Sequence, residues 1–265
     1  MKKLLAVVLA VVLMFAFAAC ANNEDGNNND VNNDGANVVD NDNNNDTDAK
    51  SEGAMTYEEY AAAALDTEVV VEVYVQAKQS WWENTVTVYA QDEDGAYFIY
   101  GMPCSEEDYE KLTTGTKIKV TGYKSEWAGE VEIVDATFEI LEGNYVATAL
   151  DVTSLLGTDD LIKHQNQFVA FKGMTVEASK DADGNDVAFL YKYDGSGQDG
   201  SDLYFKVSLN GETYTFTVES DLCDNTTEVY SAVKNLTIGD KIDLEGFLYW
   251  YEGVNPHITS VSVAN

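Results

Sequence analysis

Arginine is absent from the 265 residues, so all 15 basic side chains are lysines, set against 47 acids. The net charge is −32, and beyond residue 55 the chain still carries 38 acids and 12 lysines, or −26. A field of that sign keeps a protein soluble and repels polyanions. It argues against nucleic acid, whose affinity comes mostly from phosphate contacts. Histidine is nearly missing. His164 and His257 have no spacing that completes a zinc site with the cysteines, so no metal ligand set is read, and no motif implies a cofactor. There are two prolines in the chain against 16 tyrosines and many valines and threonines, which points to β structure.

The longest apolar run lies at the start. Lys2 and Lys3 form a charged end, Leu4 to Phe17 an apolar core, and Ala18-Ala19-Cys20 its close. The run is too short to span a bilayer comfortably and reads as an export signal, residues 1–20. Its Phe17-Ala18-Ala19-Cys20 ending resembles a bacterial lipobox, with Phe17 where leucine is usual. That resemblance implies a mature chain that begins at lipid-modified Cys20, anchored on the extracytoplasmic face of the cell membrane. Between Ala21 and Lys50 there are 12 asparagines and eight acids with almost no large apolar side chain. Such a segment buries too little to offset its ordering entropy, so residues 21–55 are expected to be a disordered tether.

Beyond the tether one block occurs twice. Leu112-Thr113-Thr114-Gly115-Thr116-Lys117-Ile118-Lys119-Val120-Thr121-Gly122-Tyr123 returns as Leu236-Thr237-Ile238-Gly239-Asp240-Lys241-Ile242-Asp243-Leu244-Glu245-Gly246-Phe247, 124 residues later. Each copy is followed by a tryptophan, Trp127 or Trp250, and a glycine, Gly129 or Gly253. A period of that length marks two copies of a domain rather than a solenoid. The copies are expected at 56–143 and 144–265, packed as a pair across a short linker.

In the first copy, Thr56-Tyr57-Glu58-Glu59 reads as a capping box opening a short helix. Alternation then predicts strands at 69–76 and 86–90, a turn at Asp92–Gly95, and a third strand at 97–100. Ser105 caps a short helix ending near Leu112, and strands four and five follow at 117–122 and 130–141. The second copy repeats the plan, with a helix capped by Thr158-Asp159-Asp160 and strand one at 167–177. A long excursion holds an extra strand at 187–193, and the hairpin 203–219 turns at Asn210-Gly211. A helix at 226–235 and strands at 240–247 and 257–263 complete it.

This order, β-β-β-α-β-β with the helix between strands three and four, resembles the OB-fold, a five-stranded Greek-key barrel. The Gly-x-x-Ile/Val-x-Val/Leu-x-Gly block at strand four carries the resemblance in both copies. With the lipobox, the whole looks like the OB-domain lipoproteins of low-GC Gram-positive bacteria and, more distantly, the secreted bacterial OB-fold family. That resemblance implies no catalytic activity. Nuclease relatives of the fold hydrolyse phosphodiesters with arginines, which this chain lacks.

OB-folds bind ligands on the face of strands two and three, between the loops joining strands one to two and four to five. Trp81 and Trp82 fall in the first of these loops in copy one and Trp127 in the second, while Tyr249, Trp250 and Tyr251 fall in the second loop of copy two. These six aromatics are the candidate ligand-binding residues, and covering the barrel ends or joining the copies is the competing role. The carboxylate groups Glu58/Glu59, Asp92/Glu93/Asp94, Glu106/Glu107/Asp108 and Asp159/Asp160 sit in turns and first helical turns, where acids are favoured locally. A hydrolase acting on surface polymers is therefore the weakest reading. Asp181–Asp186 has part of a calcium-loop pattern, but its glycine is fourth and the twelfth residue is Lys192, so it reads as a hairpin turn. Cys104 and Cys223 precede the helix of each copy and read as small buried thiols or, if the barrels met end to end, a bridge.

The expectation is a membrane-anchored, extracytoplasmic binding or scaffolding module for a neutral glycan, peptide or protein, with single-stranded nucleic acid the alternative ligand. Intact-mass analysis of the native protein is expected to find a diacyl-sized increment on Cys20; an unmodified Cys20 behind a different mature N-terminus refutes the anchor.

Overall fold

A computed structural model describes residues 50–264. The export signal, Cys20 and most of the tether lie outside the described residues. The chain runs α1 (Tyr57–Ala62), β1 (Glu68–Lys78), β2 (Thr85–Gln91), β3 (Ala96–Pro103), α2 (Glu106–Lys111), β4 (Thr116–Trp127), β5 (Glu130–Asn144) and β6 (Leu150–Asp151). It continues β7 (Phe168–Glu177), β8 (Ser179–Lys180), β9 (Asp186–Val187), β10 (Phe189–Tyr191), β11 (Leu203–Leu209), β12 (Glu212–Val218), α3 (Glu228–Lys234), β13 (Lys241–Phe247) and β14 (His257–Val263).

Strands β1 to β5 close a barrel in the order β1-β2-β3-β5-β4, with β3 and β5 parallel. Strands β7, β11, β12, β14 and β13 repeat that order, closed by β7 pairing both β11 and β13, with β12 and β14 parallel. Two barrels of this order, each with its helix between strands three and four, are tandem OB-fold-like domains.

The local reasons follow the residues. Thr56 and Glu59 form the reciprocal capping box of α1. Lys124 closes the other end, donating to the carbonyls of Tyr60, Ala61 and Ala63 at 3.0, 2.8 and 2.9 Å. Val69, Val71, Val73 and Val75 of β1 fill the first core with Val86, Val88, Ile99, Ile118 and Ile133. The second face of β1 is also buried. Glu72 pairs with Lys117 at 3.5 Å and accepts from the Ser51 hydroxyl, while Gln76 bonds Tyr145 O and Ala147 N of the linker. Residues 50–55, the end of the stretch read as a tether, lie against this barrel: Lys50 pairs with Asp92 at 2.7 Å and Met55 bridges to Val71.

Three expectations change. Strand β4 runs through Trp127 and pairs it with Glu130, so Trp127 ends a strand rather than lying in a loop. The turn is two residues, Ala128 and Gly129, both left-handed at φ 53° and 92°. The expected helix after Thr158 is a 3₁₀ turn, Leu161–His164, without a side-chain cap; Asp160 is already helical and its carboxylate binds Lys163 at 2.6 Å. The extra strand at 187–193 is two pieces, β9 paired with β8 and β10 paired with β11. The Asp181–Asp186 segment is the β8–β9 turn, and Asp181 Oδ1 accepts from the amides of Asp183 and Asn185. Cys104 and Cys223 are free and buried, each in its own core.

The repeated glycines now have causes. Gly115 and Gly239 are left-handed at φ 90° and 95°, and each donates its amide to strand one of its barrel, at Val75 O and Val176 O. Gly122 and Gly246 sit at irregularities where strand four crosses strand five. A Cβ on Gly246 would lie 2.2 Å from His257 O, and one on Gly122 would lie 2.9 Å from Val134 O. Gly246→Ala is expected to cost about 2–3 kcal/mol by overpacking against backbone, and Gly239→Ala, with open space around it, about 1 kcal/mol. Denaturant titration measures both; equal small losses contradict the close approach.

Candidate functional site

The two barrels are joined by the β4–β5 hairpin of the first. Gln165 donates to Gly129 O at 2.8 Å, Asn166 to Val131 O at 3.1 Å, and the amide of Glu252 to Ala128 O at 2.7 Å. Glu130, fully buried, accepts from the amide of Trp250 at 2.9 Å and from Gln165 at 3.2 Å. Among the described residues neither its Oε1 nor Asn166 Oδ1 has a hydrogen-bond partner. Burial pushes the Glu130 carboxyl up to about 8, against the lowering effect of its hydrogen bonds.

Beside this joint lies an aromatic cluster. Tyr89 is fully buried and stacks on Phe247 with centroids 4.4 Å apart, while Phe98 meets Tyr89 at 4.9 Å and Tyr249 at 5.3 Å. Tyr249 stacks on His257 at 4.3 Å. His257 Nδ1 lies 2.7 Å from the Tyr89 hydroxyl and 3.2 Å from Glu219 Oε2, so it serves one of them at a time. Gln79 reaches Glu219 Oε1 at 2.6 Å, and Ser80 donates its amide to Asp221 O.

The cluster floors a cleft of about 370 Å³ lined by Gln79, Phe98, Tyr100, Trp127, Glu132, Glu219, Asp221, Tyr249 and His257. Past Trp127 and Tyr249 it continues into a hollow of about 420 Å³ along Asp202, Tyr204, Thr217 and Tyr251. Past Tyr204 and Tyr251 comes a third, about 510 Å³, along Lys180, Leu190, Lys206 and Thr215. Tyr204 and Lys206 are on β11 and Thr215 and Thr217 on β12, so the groove crosses the strand-two and strand-three face of the second barrel. The same face of the first barrel is partly covered: Tyr89 and Phe98 dock onto Phe247 and Tyr249.

Three of the six candidate aromatics meet here. Trp127 and Tyr251 lie 5.2 Å apart at the groove rim, 55% and 46% exposed, and Tyr249 lines the cleft below. Trp250 does not join them; it packs on the second core and over Gly129. Trp81 donates its indole N–H to Cys104 O at the end of the first barrel. Trp82 projects 71% exposed from the Trp82–Thr85 turn and lines none of the three hollows. Sequence reading missed Phe98, Tyr100, Tyr193 and Tyr204. For three of them the signal was present: Phe98 and Tyr100 alternate with inward Tyr97 and Ile99, and Tyr204 with inward Leu203 and Phe205, placing aromatics on outer faces.

The chain is thus a tandem OB-fold-like protein with a groove that starts where its barrels join. No protein-family model and no curated protein matches its sequence. Among solved structures it is similar to a murine DNA-binding protein bound to double-stranded DNA, with 13% identity over 74% of this chain and 96% of the other and a TM-score of 0.36. It is likewise similar to the p204 HINb domain, with 10% identity over 76% and 100% and a TM-score of 0.34. A deletion mutant of the single-stranded DNA binding protein from Thermus aquaticus shares 13% identity over 77% and 97%, with a TM-score of 0.25. Likeness at this level bears on no ligand of this chain, and the fold assignment rests on strand order.

Glu130 has a sign-definite effect on the joint. Its folded carboxyl titrates above the unfolded one, so folding takes up a proton between the ordinary carboxyl range and about 8. The stability of the neutral form is fully present at acid pH and is lost as pH rises through that window. Glu130→Gln is expected to melt above wild type at pH beyond about 8 and to converge with it toward mild acid. A constant difference across pH contradicts the assignment.

Proposed function

We propose that this protein is a non-catalytic binding module, tethered through a lipid on Cys20 to the extracytoplasmic face of a bacterial membrane, that takes an extended peptide, protein segment or neutral glycan along the groove. The observation that supports this reading is the run of aromatic faces, Phe98, Tyr100, Trp127, Tyr249, Tyr251 and Tyr204, drawn from both barrels into one channel. Aromatic faces in a channel suit ligands built of repeated flat or apolar units. The carboxylates Glu132, Asp202, Glu219 and Asp221 along it disfavour an anionic ligand. The most perturbed carboxylate, Glu130, is engaged in holding the joint, which fits a scaffold better than a hydrolase.

One observation favours the nucleic-acid alternative. At the outer end, Lys180 and Lys206 flank Tyr193 and Tyr204, the pairing of charge and stacking used for single strands. Glycan, peptide and oligonucleotide arrays probed with the full chain separate the readings. Trp127→Ala is expected to weaken binding by about 2 kcal/mol, as for a desolvated aromatic anchor, with melting near wild type. Trp250→Ala is expected instead to destabilise by about 3 kcal/mol, as for a packed aromatic. Unchanged binding in Trp127→Ala sinks the groove reading.

A further inference from the structure

The cleft at the joint contains a carboxylate that none of the described residues answers. Glu132 is 8% exposed and lines the cleft, yet among the described residues it accepts no hydrogen bond and forms no ion pair. A desolvated carboxylate in that state is costly and is normally paired. Burial raises its proton affinity, as expected without a counter-ion. Glu219, Asp221 and His257 line the same cleft, and among the described residues no lysine does. Asp221 is raised by burial and then by repulsion from Glu219 and Asp202, so negative charge crowds this side of the cleft, where His257 lies 3.2 Å from Glu219. Aromatic rings wall it: Tyr100 and Trp127 stand 57% and 55% exposed at the rim, and Tyr249 lies deeper.

Resting on the reading of the groove as a binding surface, we infer that this cleft receives one cationic side chain, lysine or arginine, of a peptide or protein ligand, with Glu132 as its counter-ion. The rings match the aliphatic stem and stabilise the cation through their faces. Glu219 and Asp221 supply the remaining negative field. The depth selects the source of the cation. Glu132 is nearly buried while Tyr100 and Trp127 are more than half exposed, so the charge must arrive on a long thin arm. An amino sugar carries its ammonium directly on a ring, without such an arm. The acidic surface adds long-range attraction for a basic partner.

The test titrates the full chain, by indole fluorescence, with glycine-flanked arginine and lysine peptides, the citrulline counterpart, and a glucosamine oligomer. The arginine and lysine peptides are expected to bind with salt-dependent affinity, and the citrulline peptide roughly tenfold more weakly or worse, having lost a charge-assisted contact. Glu132→Gln is expected to lose the same factor while melting at or above wild type, which separates lost recognition from lost folding. Equal binding of arginine and citrulline peptides, an unaffected Glu132→Gln, or preference for the glucosamine oligomer overturns the inference. If another ligand binds through Trp127 without dependence on Glu132, the cation pocket falls and the groove stands. If arginine peptides depend on Glu132 but not on Trp127, the cation pocket stands and the aromatic reading falls.

Discussion

The grip of the second barrel on the first barrel's β4–β5 hairpin positions everything else. Two consecutive left-handed residues, Ala128 and Gly129, reverse the chain in the least space a hairpin allows. Because Gly129 has no Cβ, the Trp250 ring can lie against it; a Cβ there would be 2.9 Å from Trp250 Cδ1. The same contact brings the Trp250 amide to Glu130 and the Glu252 amide to Ala128 O. With the hairpin fixed, Trp127 at its start meets Tyr251, and Glu132, two residues beyond Glu130 on the same strand face, lines the cleft. One strand therefore sends one carboxylate into the joint and the next into the groove.

The two copies use one surface differently. On the first barrel the outer residues of strands two and three, Tyr89 and Phe98, are 0% and 3% exposed because they dock on Phe247 and Tyr249. On the second, Tyr204, Lys206, Thr215 and Thr217 line open hollows. Burying the first face removes aromatic area from water and fixes the ring geometry, which stabilises the pair. It also makes the groove a property of the pair, since its inner end needs walls from both barrels.

Charge is arranged to the same end. Lysines are drawn into internal contacts: Lys124 on the carbonyls ending α1, Lys117 on Glu72, Lys50 on Asp92, and Lys172 beside Asp243. These contacts place positive charge away from the cleft, whose carboxylates keep their mutual repulsion. A fold that carries excess acid can concentrate it where a ligand, rather than the chain, supplies the compensation.

The barrels themselves were legible in the sequence. Period-two alternation in 69–76 and 203–219, the Asn210-Gly211 turn, the Thr56–Glu59 box and the duplicated glycine block depend on neighbours along the chain and in the adjoining strand, so local chemistry determined them. The repeat also located the aromatics at the end of strand four in the first copy and just past it in the second, because topology alone carries that position. What each aromatic does was decided by tertiary structure. Trp127 matches Tyr251 in the 124-residue repeat, and both stand at the rim, while Trp250, one position earlier, is packed under the hairpin, a difference that only the joint between the barrels sets. The burial of Tyr89, the raised carboxyl of Glu130 and the unpaired Glu132 come from the same cause. Each depends on which residues of the other barrel lie within a few ångströms, and no pattern along one chain segment encodes that distance.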